Sequence, residues 1–475
     1  MVCKRGTSFE DCELAILRMA VDKVDKREGS MMLKKPQVKE IIKIVEQFII
    51  KNHLVCYGGT AINALLPPDD QFYDMTVELP DYDFFSPDAL KHAKELADIY
   101  YKKGFTNVEA KSGVHAGTFK VFVDFIPVAD ITQVVPELFK AIKKTSIAVR
   151  GINYCSPNYL RMLMYLELSR PKGDASRWEK VLKRISLLNK NYPLRGKHCD
   201  FIEIQRFFDP EQKLPDGKRD IIFYTTRDSL INQGVVFFGA MALQMYLRYH
   251  KKFKYQKFEK IPDFDVLAKD PKQTAEILKA RLKREGIKKV SIRERKGVGE
   301  VIAPHYEVVV NKETIVIIYK PLACHSYNEI RIKKRKVKIA TIDTMLSLYL
   351  AFMYVNRKYY DPNRILCMSE FLFKIQQFNR LAQKGLLKRF SINCYGNQET
   401  LDKMREEKAH MFEKLKHKRN SKEWDYYFLK YLPGKNDHKN KTKKHKYSSK
   451  KGRKRRRKTR RKRRRKTRLG KLFGL

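Results

Sequence analysis

The sequence predicts a mixed α/β (α+β) fold with two related sheets, a helical C-terminal region and a disordered basic tail. Three observations predict it. Apolar strands alternate with amphipathic helices over residues 52–210. A similar order of strand, glycine, helix and Asp-x-Asp returns over residues 215–335. From residue 435 onward apolar side chains nearly vanish. The expected units are therefore an N-terminal helical region (1–51), a first α/β unit (52–210), a second one (215–335), helices over 336–434 and a tail at 435–475.

Residues 1–50 read as two helices. The second, Gln37 to Lys51, starts after Pro36, a residue suited to a helix N-terminus. Its Ile41, Ile42, Ile44, Val45, Phe48 and Ile49 should pack behind the first sheet. Next comes a short apolar strand ending in a glycine pair, Val55-Cys56-Tyr57-Gly58-Gly59-Thr60, and then a helix from Ala61. Pro80-Asp81-Tyr82-Asp83-Phe84-Phe85 follows, and its two carboxylates share one face of a strand. After a helix from Ala89 to Lys103, Val114 to Lys120 should run antiparallel to Val121-Phe122-Val123-Asp124-Phe125-Ile126. Tyr159 to Leu188 reads as helical with a basic face, turning at Pro171 and Gly173. Trp178 is expected to anchor core rather than to stack a base.

These residue types suit phosphoryl transfer. Mg²⁺ takes oxygen ligands, commonly a few carboxylates plus substrate phosphates. A carboxylate inside an apolar strand is costly unless it is paired or metal-bound, so Asp124 is expected to join Asp81 and Asp83 around two cations. Gly58-Gly59 lets the backbone approach a triphosphate, and Thr60 adds a hydroxyl near a helix N-terminus. Lys172 and Arg177 are candidate phosphate contacts; a solvated basic face is the alternative.

Tyr57-Gly58-Gly59-Thr60-Ala61-Ile62, Pro80 through Pro87, Val123-Asp124-Phe125 and Glu167 through Lys172 together resemble the polymerase-beta-type nucleotidyltransferases. More closely, residues of about 35–430 resemble the poly(A) polymerase catalytic subunits of poxviruses and other large nucleocytoplasmic DNA viruses. The resemblance implies AMP transfer from ATP to an RNA 3′ end, with Mg²⁺ or Mn²⁺ on Asp81, Asp83 and Asp124. It also implies RNA as partner, a processivity partner or a homodimer, and a viral setting in the virion or host cytoplasm. A terminal uridylyltransferase, another nucleotidyltransferase and a nonenzymatic RNA-binding scaffold are the competing readings.

The second unit reads as a worn copy of the first. Val235 to Ala242 parallels Val55 to Ala61 with Ala240 for Gly59, and Asp263-Phe264-Asp265 parallels Asp81-Tyr82-Asp83. Aligning Pro321 with Pro127 puts Ile318 at the place of Asp124, so this copy is expected to lack a third carboxylate and to be degenerate.

Composition fits a polyanion partner. Of the net charge of +48, residues 435–475 contribute 23 Lys and Arg against one acidic residue, so the body keeps about +26. The tail is expected to be disordered and to act as an RNA tether or a nuclear import signal. The eight cysteines show no zinc spacing, which suggests a reducing compartment without disulfides. No signal-peptide pattern opens the sequence, and Met345 to Val355 is too short to span a bilayer. No membrane association is expected.

Overall fold

The computed structural model describes residues 8–33, 35–74, 79–199, 217–251, 261–332, 334–357 and 359–434. The expected tail and the boundary between the two units lie outside these residues. The chain opens with α1 (Phe9–Leu33) and α2 (Pro36–Lys51). Helix α2 begins at Pro36 and buries Val38, Ile41, Ile44, Val45, Phe48 and Ile49 on one side. The first unit continues β1 (Val55–Cys56), α3 (Gly58–Leu65), β2 (Tyr82–Ser86), α4 (Ala89–Lys102), β3 (Val108–Ser112), β4 (Thr118–Val123) and β5 (Ile126–Gln133). It closes with α5 (Pro136–Thr145), β6 (Ile147–Val149), β7 (Ile152–Tyr154), α6 (Pro157–Leu168) and α7 (Trp178–Asn191).

The second unit holds α8 (Arg219–Asn232), β8 (Val236–Phe237), α9 (Ala240–Leu247), β9 (Phe264–Leu267) and α10 (Pro271–Arg284). Strands β10 (Val290–Arg295), β11 (His305–Val310), β12 (Glu313–Tyr319), β13 (His325–Ile332) and β14 (Arg335–Ala340) follow. The remainder is α11 (Ile342–Phe352), α12 (Pro362–Phe378), β15 (Cys394–Tyr395), α13 (Leu401–Leu415), α14 (Lys422–Phe428) and β16 (Lys430–Tyr431).

Two mixed sheets result. Their strand orders are β16-β3-β4-β5-β2-β1-β7-β6 and β10-β11-β12-β9-β8-β14-β13-β15. Setting aside the late additions β16 and β15, the two orders superpose strand for strand, with β2 matching β9 and β5 matching β12. Each sheet has two parallel pairs, β2–β5 and β1–β7 in the first and β9–β12 and β8–β14 in the second, and its other pairs are antiparallel.

The two halves share one core. Helix α11, the apolar run that is too short to cross a bilayer, is almost wholly buried. The chain after it seals the contact: Ser156 Oγ hydrogen-bonds Tyr354 OH at 2.7 Å, and the Tyr159 ring meets the Tyr354 ring edge-on at 4.8 Å. The Ser326 amide donates to the Ser169 carbonyl at 2.8 Å. Trp178 is an anchor here, its ring 5.5 Å from Phe390 and its Nε1 donating to the Glu167 carbonyl.

Three expectations are corrected. Residues 336–434 are not purely helical: β15 joins the second sheet and β16 caps edge strand β3 of the first. Capping hides an edge that would otherwise invite another strand, and Lys94–Asp425 (2.6 Å) and Tyr431–Asp98 (2.7 Å) clamp it. Residues 113–117 form a loop, and the neighbour of β4 on that side is β3. The cysteines are not all thiols. Cys199–Cys367 and Cys324–Cys394 are disulfides, with Cα atoms 5.2 and 5.1 Å apart. Separations of 168 and 70 residues hide both pairings from local spacing. Among the described residues no helix is long and apolar enough to cross a membrane.

Candidate active site

Strand β2 brings Asp81 and Asp83 to the centre of the first sheet. The backbone of this Asp-x-Asp segment is held at both aspartates. The Tyr57 amide donates to the Asp83 carbonyl at 2.9 Å, and Thr60 Oγ1 donates to the Asp81 carbonyl at 2.7 Å. The Thr60 hydroxyl thus fixes the Asp-x-Asp strand instead of pointing freely at a ligand. Gly58 has φ +77°, and a Cβ there would come within 2.5 Å of Asp83 Oδ2. Only glycine lets the turn lie this close to the carboxylate. Gly58 and Gly59 open helix α3, and no side chain caps that helix, so its first amides face outward beside the carboxylates.

The carboxylate that the register sets beside Asp83 is Asp130, not Asp124. Asp124 lies in the hairpin between β4 and β5, with φ +48°, and its amide donates to the Asn107 carbonyl. It is followed by Phe125 (φ +68°), which is 86% exposed. The apolar run Val121 to Ile126 is thus one strand end, a turn and the start of the next strand. In the register of the parallel pair, Asp130 sits directly beside Asp83. Asp130 is in turn paired across the hairpin with Lys120, and the two side chains form an ion pair. Lys120, Asp130 and Asp83 therefore form one row across three strands, with Asp81 two residues along from Asp83.

Electrostatics reflects this crowding. Burial, then Asp81, then Asp130 push the Asp83 carboxyl up to about 7, and Lys120 and Arg177 pull it only partly back. Burial and Asp130 also raise Asp81, with Lys120 opposing. Gathered, incompletely neutralised carboxylates suit a hard divalent cation. Among the described residues no three acidic, His or Cys side chains already close on one point; Asp130 is turned toward Lys120. The donor types and register nevertheless fit Mg²⁺ or Mn²⁺.

The candidate phosphate contacts divide. Arg177 is ion-paired with Glu167 at 3.2 Å, yet its charge reaches Asp83. Lys172 is exposed in the turn after α6. Sequence reasoning missed Arg184 of α7, which donates to Tyr73 OH and lies 4.8 Å over the Phe72 ring. A Cβ on Gly59 would meet Tyr73 OH at 2.7 Å and Arg184 Nη2 at 3.0 Å. Arg184 thus puts a guanidinium against the glycine turn. It is one cation among many on a basic helix, and only the fold singles it out.

The second sheet repeats the frame without the full carboxylate row. The Phe238 amide donates to the Asp265 carbonyl, and a Cβ on Gly239 would crowd Asp265 Oδ2 at 2.2 Å, as at Gly58 and Asp83. Asp265 is registered with Ile317, so Ile317, not Ile318, stands where Asp130 does. Ile317 is registered with Glu307, the counterpart of Lys120. Tyr349, Phe352, Tyr359, Tyr360 and Arg364 fill the space around Asp263 and Asp265, leaving a cavity of about 20 Å³. That volume holds about one water.

Comparison with known proteins agrees with this geometry. Residues 43–174 match the family model of the poly(A) polymerase catalytic subunit. A protein of Acanthamoeba polyphaga mimivirus named for a poly(A) polymerase catalytic subunit is 30% identical over 223 residues, 44% of this chain and 36% of its own length. One of African swine fever virus (strain Badajoz 1971 Vero-adapted), named likewise, is 34% identical over 175 residues, 36% of each. The chain thus spans about a third of the length of these relatives. The crystal structure of the Megavirus polyadenylate synthase shares the fold, with a TM-score of 0.73, 19% identity, and coverage of 91% of this chain and 87% of that one. Residues 43–174 are thus similar to the poly(A) polymerase catalytic subunits of large DNA viruses.

Proposed function

We propose that this chain is a template-independent polynucleotide adenylyltransferase that adds AMP from ATP to RNA 3′ ends. The observation that carries the proposal is the placement of Asp81, Asp83 and Asp130 at neighbouring strand positions beside a glycine turn too tight for a side chain. In this reading residues 52–210 are the catalytic nucleotidyltransferase unit. Residues 215–335 are a degenerate copy that serves structure or RNA binding, residues 336–434 brace the two, and the tail holds RNA.

The chemistry follows from the residues. The RNA 3′ oxygen attacks the α-phosphorus of ATP, the bond to the bridging oxygen breaks, and pyrophosphate leaves. The amides at the start of α3, reached past Gly58 and Gly59, receive the triphosphate, and Arg184 adds a positive charge at the same turn. Asp81, Asp83 and Asp130 would hold Mg²⁺ or Mn²⁺, whose charge stabilises the attacking and leaving oxygens in such a displacement. Placement and electrostatics are nearly all that this reaction asks of a protein. The net charge of about +26 outside the tail favours RNA over a small-molecule acceptor. The viral relatives accord with a setting in the virion or host cytoplasm, and the tail with entry to the nucleus as the other option.

The test is incubation of the purified protein with labelled RNA, Mg²⁺ or Mn²⁺, and each nucleoside triphosphate separately. Extension with ATP above the others is expected. Equal or greater extension with UTP would make it a uridylyltransferase. RNA binding with no extension by any triphosphate would leave a scaffold.

A further inference from the structure

Lys120 is a basic side chain set into the row that should gather positive ions. It lies opposite Asp130 on the neighbouring strand, and Asp130 lies opposite Asp83. Its ion pair with Asp130 is only partly sheltered: the Lys120 side chain is 38% exposed and that of Asp130 16%. Such a pair can open toward solvent without disturbing the core.

The second sheet supplies the contrast. There both members of the pair are replaced together, Lys120 by Glu307 and Asp130 by Ile317. Glu307 turns to Arg295, with contacts of 2.9 and 3.2 Å, and accepts a hydrogen bond from Tyr359 OH. A lysine stands at this row position where the third carboxylate stands, and is gone where that carboxylate is gone.

We propose that Lys120 is an internal counterion: it holds the Asp81, Asp83 and Asp130 row together before a divalent cation binds, and gives up Asp130 when one does. This rests on the reading of that row as the metal site. Lys120 is a positioning residue in this scheme. Lysine and metal compete for the same oxygen, so the lysine lowers metal affinity while preventing the carboxylates from repelling one another apart. Arginine in its place keeps the charge; methionine keeps the length and loses it.

The experiment uses the full chain with Lys120→Met, Lys120→Gln and Lys120→Arg. Mn²⁺ binding is read by calorimetry and by electron paramagnetic resonance, and melting is followed in chelator and in Mn²⁺, without nucleotide. Lys120→Met and Lys120→Gln should melt lower than wild type in chelator, bind Mn²⁺ about tenfold more tightly, and recover most of the lost melting temperature in Mn²⁺. Lys120→Arg should stay within about twofold of wild type. Unchanged or weaker Mn²⁺ binding in both neutral variants, with an equal loss of melting temperature in chelator and in Mn²⁺, would reduce Lys120 to an ordinary surface pair and overturn the proposal. If wild type itself shows no Mn²⁺ binding that Asp83→Asn abolishes, the metal site and this proposal fall together. If wild type binds and the neutral variants match it, only the counterion role falls.

Discussion

Asp83→Asn should stabilise the metal-free protein, and should do so only at neutral and alkaline pH. The wild-type carboxyl is pushed up to about 7 from an ordinary 3.8, first by burial and then by Asp81 and Asp130. The folded chain therefore holds a proton between about pH 4 and 7 that the unfolded chain has released. Stability contributed by the neutral acid is complete below pH 4, falls as pH rises, and is lost above about 7. At about 1.4 kcal/mol per tenfold change in proton affinity, the ceiling is on the order of 4 kcal/mol. Asp83 is partly open to solvent, and Lys120 can relax toward it, so about 1–2 kcal/mol is the expected gain. For a chain of this size that is a rise of roughly 1–2 °C in melting temperature. Asparagine keeps the shape, so Gly58 and the Tyr57 amide keep their places. The assay is thermal melting of wild type and variant in chelator from pH 4.5 to 8.5. The gain should grow with pH and level off near pH 8, and added Mn²⁺ should stabilise wild type but not the variant. A variant that melts lower than wild type at pH 8, or a gain that is the same at every pH, would refute the electrostatic account of this row.

Further outcomes follow from the same geometry. Asp130→Ala should slow nucleotide addition by about a hundredfold or more, roughly 2.7 kcal/mol in barrier, whereas Asp124→Ala should keep at least half the rate in a primer-extension assay. The reverse pattern would restore Asp124 to the site. Asp263→Ala with Asp265→Ala should leave the rate per folded molecule within about threefold, since Ile317 and the aromatic filling leave no room for a nucleotide; a loss as deep as that of Asp83→Ala would end the degenerate reading. Reducing the Cys199–Cys367 bridge, or replacing both cysteines with serine, should lower stability by about 3–5 kcal/mol, because the loop it closes is long; unchanged melting in reductant would show that the bridge adds nothing. Removing residues 435–475 should preserve addition but weaken RNA affinity and shorten products, most at low salt; identical salt slopes would favour targeting as the tail's role.

What was legible in the sequence was local. The glycine pair and Asp-x-Asp declare themselves because a short-range steric need, no Cβ against a carboxylate, leaves few residue types. The repeat was legible for the same reason, through Gly239, Asp263 and Asp265. The third carboxylate was misread because the β4–β5 turn has no glycine to mark it. Asp124 and Phe125 take positive φ there, which side chains other than glycine seldom do. A signal did exist: Asp130 alternates properly with Val128 and Thr132 on one face, and Pro127 suits a strand start better than its middle. Lys120, Arg184, Tyr73 and the two disulfides depend on contacts between distant segments, and no local pattern encodes them.

The two sheets show where activity and fold part company. Both keep a glycine pressed against the second aspartate and the same backbone hydrogen bond to it, so these features belong to the frame. Three differences separate the site from its copy: Asp130 against Ile317, Lys120 against Glu307, and an open turn against one packed with Tyr349, Phe352, Tyr359 and Tyr360. They are not independent. An aspartate at position 317 would put a charge on a fully buried strand position facing Glu307 instead of a lysine, and two like charges there would be costly. The aromatic side chains in turn occupy the volume that phosphates would need. The surroundings of position 317 therefore oppose a carboxylate there, and the second sheet also makes structural contacts. Helix α11, which follows the second sheet, packs along α6 of the first, and the Ser156–Tyr354 and Ser169–Ser326 contacts tie the first unit to it. The second sheet thereby supports the helices behind the carboxylate row.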